Sequence, residues 1–124
     1  MPKNAMVLFR EDDGSIPLVN WLEVIPKKAQ AKCIGALRRL ETLGHELRRP
    51  EADYLRDEIY ELRVGLQGVN YRMLYFFHGR TAIVVSHGLI KERVVPPKEI
   101  DRAVERRERY LANPDAHTFE PEGY

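Results

Sequence analysis

A single cysteine, Cys33, in 124 residues excludes an intramolecular disulfide, so the fold does not depend on an oxidising compartment. Long apolar runs are absent too. No stretch approaches the ~18 apolar residues of a membrane helix, and the apolar part of the opening MPKNAMVLFRED is too short for a signal peptide. A cytoplasmic protein without membrane attachment is expected. Excess charge is scarce: 20 Lys and Arg stand against 19 Asp and Glu, a net charge of +1. That is weaker than the basic stripe expected of a dedicated nucleic-acid binder, so charge alone does not decide the partner. There is no C-x-x-C pair, H-E-x-x-H, G-x-S-x-G or Walker loop, and Gly65-Leu66-Gln67-Gly68 is too short for a dinucleotide fingerprint. No metal and no cofactor are therefore expected.

What is present is ordinary globular composition, 44% hydrophobic and 31% charged. The charge is unevenly spread. Residues 113–124 hold three acids and no Lys or Arg, leaving 20 bases against 16 acids, or +4, in residues 1–112. We expect one domain over 1–112 and a mobile acidic tail over 113–124. Residues 5–10 read as a short apolar strand. Ser15 is a candidate N-cap, with Pro17 in the first turn of a helix whose apolar residues are Leu18, Trp21, Leu22 and Ile25. Pro26 opens a second helix, with a stripe of Ala29, Cys33, Ala36, Leu37, Leu40 and Leu43 and a cap at Gly44. Residues 45–54 lack apolar periodicity and read as a loop. Three β-rich runs, 57–64, 69–78 and 81–90, form an antiparallel meander. A last helix starts at Pro97 and stops at Asn113-Pro114. The fold class is α+β: two N-terminal helices packed on a small antiparallel sheet, with a C-terminal helix.

Strand alternation then gathers chemistry on one face. A four-residue turn over Gly65–Gly68 pairs Glu61 with Arg72, and a two-residue turn at Gly79-Arg80 places His87 opposite Arg72. Glu61, Arg63, Asn70, Arg72 and His87 share this face, while Tyr60, Tyr71 and Tyr75 lie on the other and read as packing rather than a base-stacking platform. Two guanidinium forks fit phosphate oxygens, a histidine can exchange a proton near neutral pH, and a carboxylate can orient them. RNA cleavage by an adjacent 2′-hydroxyl uses such a set: proton transfer at both oxygens and cations to stabilise the charge added at phosphorus. The plainer alternative is an exposed cross-strand ion pair worth about 0.2–1 kcal/mol, with His87 a structural histidine.

The series LRDEIYELR at 55–63, YRMLYFF at 71–77, HGLIK at 87–91, then Pro97, Glu99-Ile100 and Ala103 resembles the phage-derived, HigB-like branch of the RelE/ParE toxin superfamily. The resemblance implies a RelE-like fold and the toxin of a type II toxin-antitoxin system. Such a toxin is a metal-independent endoribonuclease, an RNA-binding hydrolase or mRNA interferase that cuts mRNA in the ribosomal A site and is restrained by a cognate antitoxin. By position, the family's ELR arginine is Arg63, its YR arginine is Arg72, and the lysine after its strand end is Lys91. Glu92 and Leu89 stand where the pattern usually has lysine and phenylalanine. The expected roles are phosphate grip for Arg63 and Arg72, proton exchange for His87, orientation of Arg72 by Glu61, and RNA contact for Lys91 and Asn70. Two alternatives stay open: a ParE-like DNA gyrase poison, and a non-enzymatic phage-derived binding protein.

Overall fold

The apolar run Met6–Phe9 is buried residue after residue, without the alternation of a half-exposed strand, which suits a strand covered on both faces. In the computed structural model, which describes residues 4–80, 82–90 and 93–121, that run lies inside a sheet. The chain proceeds through β1 (Ala5–Phe9), α1 (Pro17–Val24), α2 (Lys27–Leu43), β2 (Ala52–Arg56), β3 (Ile59–Leu66), β4 (Val69–His78), β5 (Ala82–Ile90), α3 (Pro97–Ala112) and β6 (Thr118–Phe119). The strands form a six-stranded sheet in the order β2-β3-β4-β5-β1-β6. β1 runs parallel to β5, and every other pairing is antiparallel.

This corrects the expected layout of two N-terminal helices on a small antiparallel sheet. The sheet is larger and mixed, because β1 joins β5 in parallel and two further strands form in segments read as loop and tail. Helices cover both faces. Leu18 and Leu22 of α1 and Cys33, Leu37 and Leu40 of α2 pack with Leu62, Met73, Tyr75 and Val85 on one side. Ile100, Ala103 and Tyr110 of α3 pack with Phe9, Leu74, Phe76 and Val84 on the other. The sheet face that carries Glu61, Arg63 and Arg72 is thus partly covered by α3.

Local chemistry explains the element ends. Pro17 opens α1, but Ser15 does not cap it: Ile16 holds the cap position, and the Ser15 hydroxyl donates to Asp13 Oδ1 at 2.7 Å. Gly44 closes α2 at φ 54°, its N–H donating to the Leu40 carbonyl. α1 can approach β5 because Gly88 lacks a Cβ, which would collide with the Trp21 indole.

Residues 113–121, expected within a free tail, are docked. A short 3-10 turn at Pro114–His117 leads into β6, which pairs with β1. The His117 ring stacks on Phe9 with centroids 4.9 Å apart, and its Nδ1 lies 2.8 Å from the Arg10 carbonyl oxygen.

Two turns set the register. Gln67 and Gly68 both have positive φ, 53° and 80°, which makes the β3–β4 connection a two-residue turn. Arg63 therefore faces Arg72, and Val64 faces Tyr71. The shift from the expected register is two residues, which leaves every side chain on its expected face. Between β4 and β5, His78 pairs with Ala82, and the register shifts again at Leu74/Tyr75. His87 consequently faces Leu74, while Arg72 faces Leu89.

Candidate functional site

Like charges directly opposite each other on neighbouring strands repel, so the Arg63–Arg72 pair needs a counterion. Glu61 supplies it. Two residues before Arg63 on the same face, it is only 2% exposed. Its Oε1 accepts from Arg72 Nη1 at 3.0 Å, and its Oε2 accepts from Arg63 Nη2 at 2.7 Å and Nε at 3.0 Å. Arg63 Nη2 also reaches Asp53 Oδ2 at 3.1 Å, and the same oxygen meets Arg49 Nε at 3.0 Å. Arg72, Glu61, Arg63, Asp53 and Arg49 thus form a string of alternating charges running from the sheet face to the β2 edge. Hydrogen bonding to Glu61 raises the Arg63 pKa further, and the Arg49 hydrogen bond holds Asp53 below its ordinary range.

Arg72, Glu61, Arg63 and Asp53 line a cleft of about 610 Å³ beside the N-terminus of α3. Arg56, Arg63, Arg72 and Arg93 stand against Asp53 and Glu61, a charge of +2 among the lining residues. Arg72 is 9% exposed, and its Nε is buried without a hydrogen-bond partner among the described residues. That N–H is shielded from the cleft, so any ligand there would meet the outer edge of the guanidinium. A cleft with this charge can accept an anion, and planar forks suit phosphate or carboxylate.

Three of the expected residues come together here, namely Glu61, Arg63 and Arg72. Asn70 lies exposed on β4 and also lines the cleft. His87 does not join them through any described contact. Its Nε2 is 2.9 Å from Glu99 Oε1 and its Nδ1 2.7 Å from Ser86 Oγ, which in turn accepts from Arg106 Nη1 at 3.3 Å. The proton order that satisfies every partner runs from Arg106 to Ser86, from Ser86 to Nδ1, and from Nε2–H to Glu99. Burial, followed by the positive charge of Arg106, pushes the His87 pKa down to about 4, against the pull of Glu99. A neutral His87 ties α3 to β5 and fixes the helix that walls the cleft. Lys91 and Glu92 lie outside the described residues. Asp53, Arg56 and Arg93 were not foreseen. The first two lie on β2, where alternation is short, and Arg93 lies three positions beyond the last β5 residue.

Fold and cleft define a small protein of sheet and helices with an arginine-rich, carboxylate-braced cleft. The chain belongs to the family of phage-derived Gp49-like proteins (DUF891), whose profile matches residues 20–108, from within α1 to within α3. That family is of the RelE-toxin type and is associated with toxins of toxin-antitoxin systems. No curated protein matches the chain. Among the described residues no helix is long and apolar enough to cross a membrane.

Proposed function

We propose that the protein is the toxin of a type II toxin-antitoxin pair, in the manner of HigB-like toxins, and that it cleaves mRNA on the ribosome without a metal. The observation that carries the reading is the facing Arg63–Arg72 pair braced by buried Glu61. In the reaction the 2′-oxygen attacks the adjacent phosphorus, the bond from phosphorus to the 5′-oxygen breaks, one proton leaves the 2′-hydroxyl and another reaches the departing oxygen. Charge accumulates on the non-bridging oxygens. Arg72 and Arg63 meet that charge from one side, pre-oriented by Glu61 so that little reorganisation is needed. His87 acts here as a positioning residue, through Glu99 and α3, rather than as the proton carrier. Asn70 at the cleft rim and Lys91 contact the flanking RNA. The antitoxin masks this cleft.

The test is incubation of the purified protein with translating ribosomes and a defined mRNA, mapping new 5′ ends. Cuts within the codon in the A site are expected. Intact mRNA, with inhibition of DNA supercoiling instead, would transfer the protein to the gyrase-poison class.

A further inference from the structure

A second cleft, of about 560 Å³, lies around the β2 edge from the arginine cleft, and Asp53 lines both. Its walls combine aromatic and cationic side chains: His45, Arg48, Arg49, Tyr54 and Tyr60. Tyr54 is 48% exposed, a large ring left in solvent at the edge of a sheet. It is nevertheless held. Its hydroxyl accepts from the Glu58 N–H at 3.1 Å, and its ring sits edge-on to Tyr60 with centroids 5.1 Å apart. Tyr60 in turn stacks on buried Tyr75, with centroids 5.4 Å apart and planes 19° from parallel. An exposed ring whose position is fixed from behind offers a flat apolar face at low entropic cost. Beside it Arg48 is exposed, and the Arg49 side chain is 76% exposed even with Nε on Asp53.

A flat ring next to two outward arginines meets the two needs of a single-stranded nucleotide, a π-face for the base and cations for the backbone. Its volume falls in the roughly 300–1,000 Å³ range of small-molecule sites, large enough for one base. The alternating string Arg72–Glu61–Arg63–Asp53–Arg49 runs from the first cleft to the second and places arginines in both, so one strand can occupy both.

We propose that the Tyr54 cleft is a stacking subsite for one unpaired base of single-stranded RNA, with Arg48 and Arg49 holding the adjoining phosphates. This rests on the reading of the first cleft as the phosphate site and names how the same strand continues. Recognition is by the face of the base, so it tolerates any base while rejecting a missing one.

The experiment uses fluorescein-labelled 2′-O-methyl RNA hexamers, which lack the attacking hydroxyl and cannot be cut, with an abasic site placed at each position in turn. Binding to the full chain is read by anisotropy. One abasic position should weaken binding by about fivefold or more for wild type. Tyr54→Ala should weaken the intact hexamer by the same factor and no longer distinguish that abasic position, because ring and base act as one contact. Tyr54→Phe, which keeps the ring, should bind within about twofold of wild type. Equal binding of intact and abasic strands, an unchanged Tyr54→Ala protein, or no binding by wild type would each overturn the proposal. So would loss of a co-expressed partner chain, with RNA binding unchanged, in Tyr54→Ala, which would give the cleft to a peptide. Because the probe cannot be cleaved, the two readings fail separately: base- and Tyr54-dependent binding by a protein that leaves mRNA uncut sustains the subsite and removes the nuclease.

Discussion

At the scale of single residues, Glu61 is the position on which the cleft depends. It is buried and holds two guanidinium groups that face each other across β3 and β4. Removing one partner of a buried ion pair strands the other, and here two cations would be stranded. Glu61→Ala is therefore expected to cost about 3–5 kcal/mol, read by urea unfolding. Arg72→Ala should cost less, about 1–3 kcal/mol, because Arg63 still serves Glu61 and the like-charge pair is relieved. Both values exceed the 0.2–1 kcal/mol of an exposed pair, which sequence spacing alone suggested, since spacing does not reveal burial. A smaller loss for Glu61→Ala than for Arg72→Ala would contradict this order. His87 sets a pH dependence. Its folded pKa of about 4 lies below the ordinary 6.5, so the unfolded chain binds the extra proton first. Its contribution is present in full above about pH 6.5 and is lost as pH falls toward 4. In His87→Gln the decline of stability over that window should flatten, and an unchanged slope would show that other groups cause it.

At the scale of elements, three features separate what the sequence makes legible from what it hides. Both helix stripes and the α3 limits follow from periodicity, Pro26, Pro97 and Gly44. Glu61, Arg63 and Arg72 were placed on one face despite a wrong turn length, because an even slip preserves alternation. His87 faces Leu74 instead of Arg72 because two one-residue shifts, one set where His78 pairs with Ala82 and one at Leu74/Tyr75, carry no sequence signature of their own. Residues 45–54, which hold most of β2 and Tyr54, read as loop because Pro50 interrupts them and they lack apolar periodicity; in the strand itself only Ala52 is buried. β1 looked like any short apolar strand, and nothing local specifies a parallel partner thirty-odd positions beyond the intervening helices. The tail lacks periodicity too, yet Phe9, which is 0% exposed, lies beneath the His117 ring. Deleting residues 113–124 should therefore lower the thermal midpoint by more than about 5 °C, since it uncovers Phe9 and leaves β1 as an edge. A midpoint within a degree of the full chain would show the docking to be energetically idle.

At the scale of the whole molecule, a net charge of +1 conceals a local concentration of arginine on one side of the sheet and around its β2 edge. A restraining partner should exploit that asymmetry by placing acidic residues against the cleft. Its association rate should then fall as salt rises from 50 to 300 mM, with the dissociation rate little changed. A salt-independent association rate would mean that the partner docks elsewhere.

The central claim is that the Arg63–Arg72 pair stabilises charge on a scissile phosphate, and Arg72 tests it most directly. The measurement is the single-turnover rate of mRNA cleavage on translating ribosomes by wild type, Arg72→Ala and Arg72→Lys, each held well below its own measured melting temperature. Loss of one charge-stabilising donor removes on the order of 3 kcal/mol from the transition state, so Arg72→Ala should be about a hundredfold slower. Arg72→Lys should recover only part of that, keeping the charge but losing the fork that spans Glu61 and the phosphate. Equal rates for folded wild-type and alanine proteins would contradict the claim and leave Arg72 as a structural ion pair.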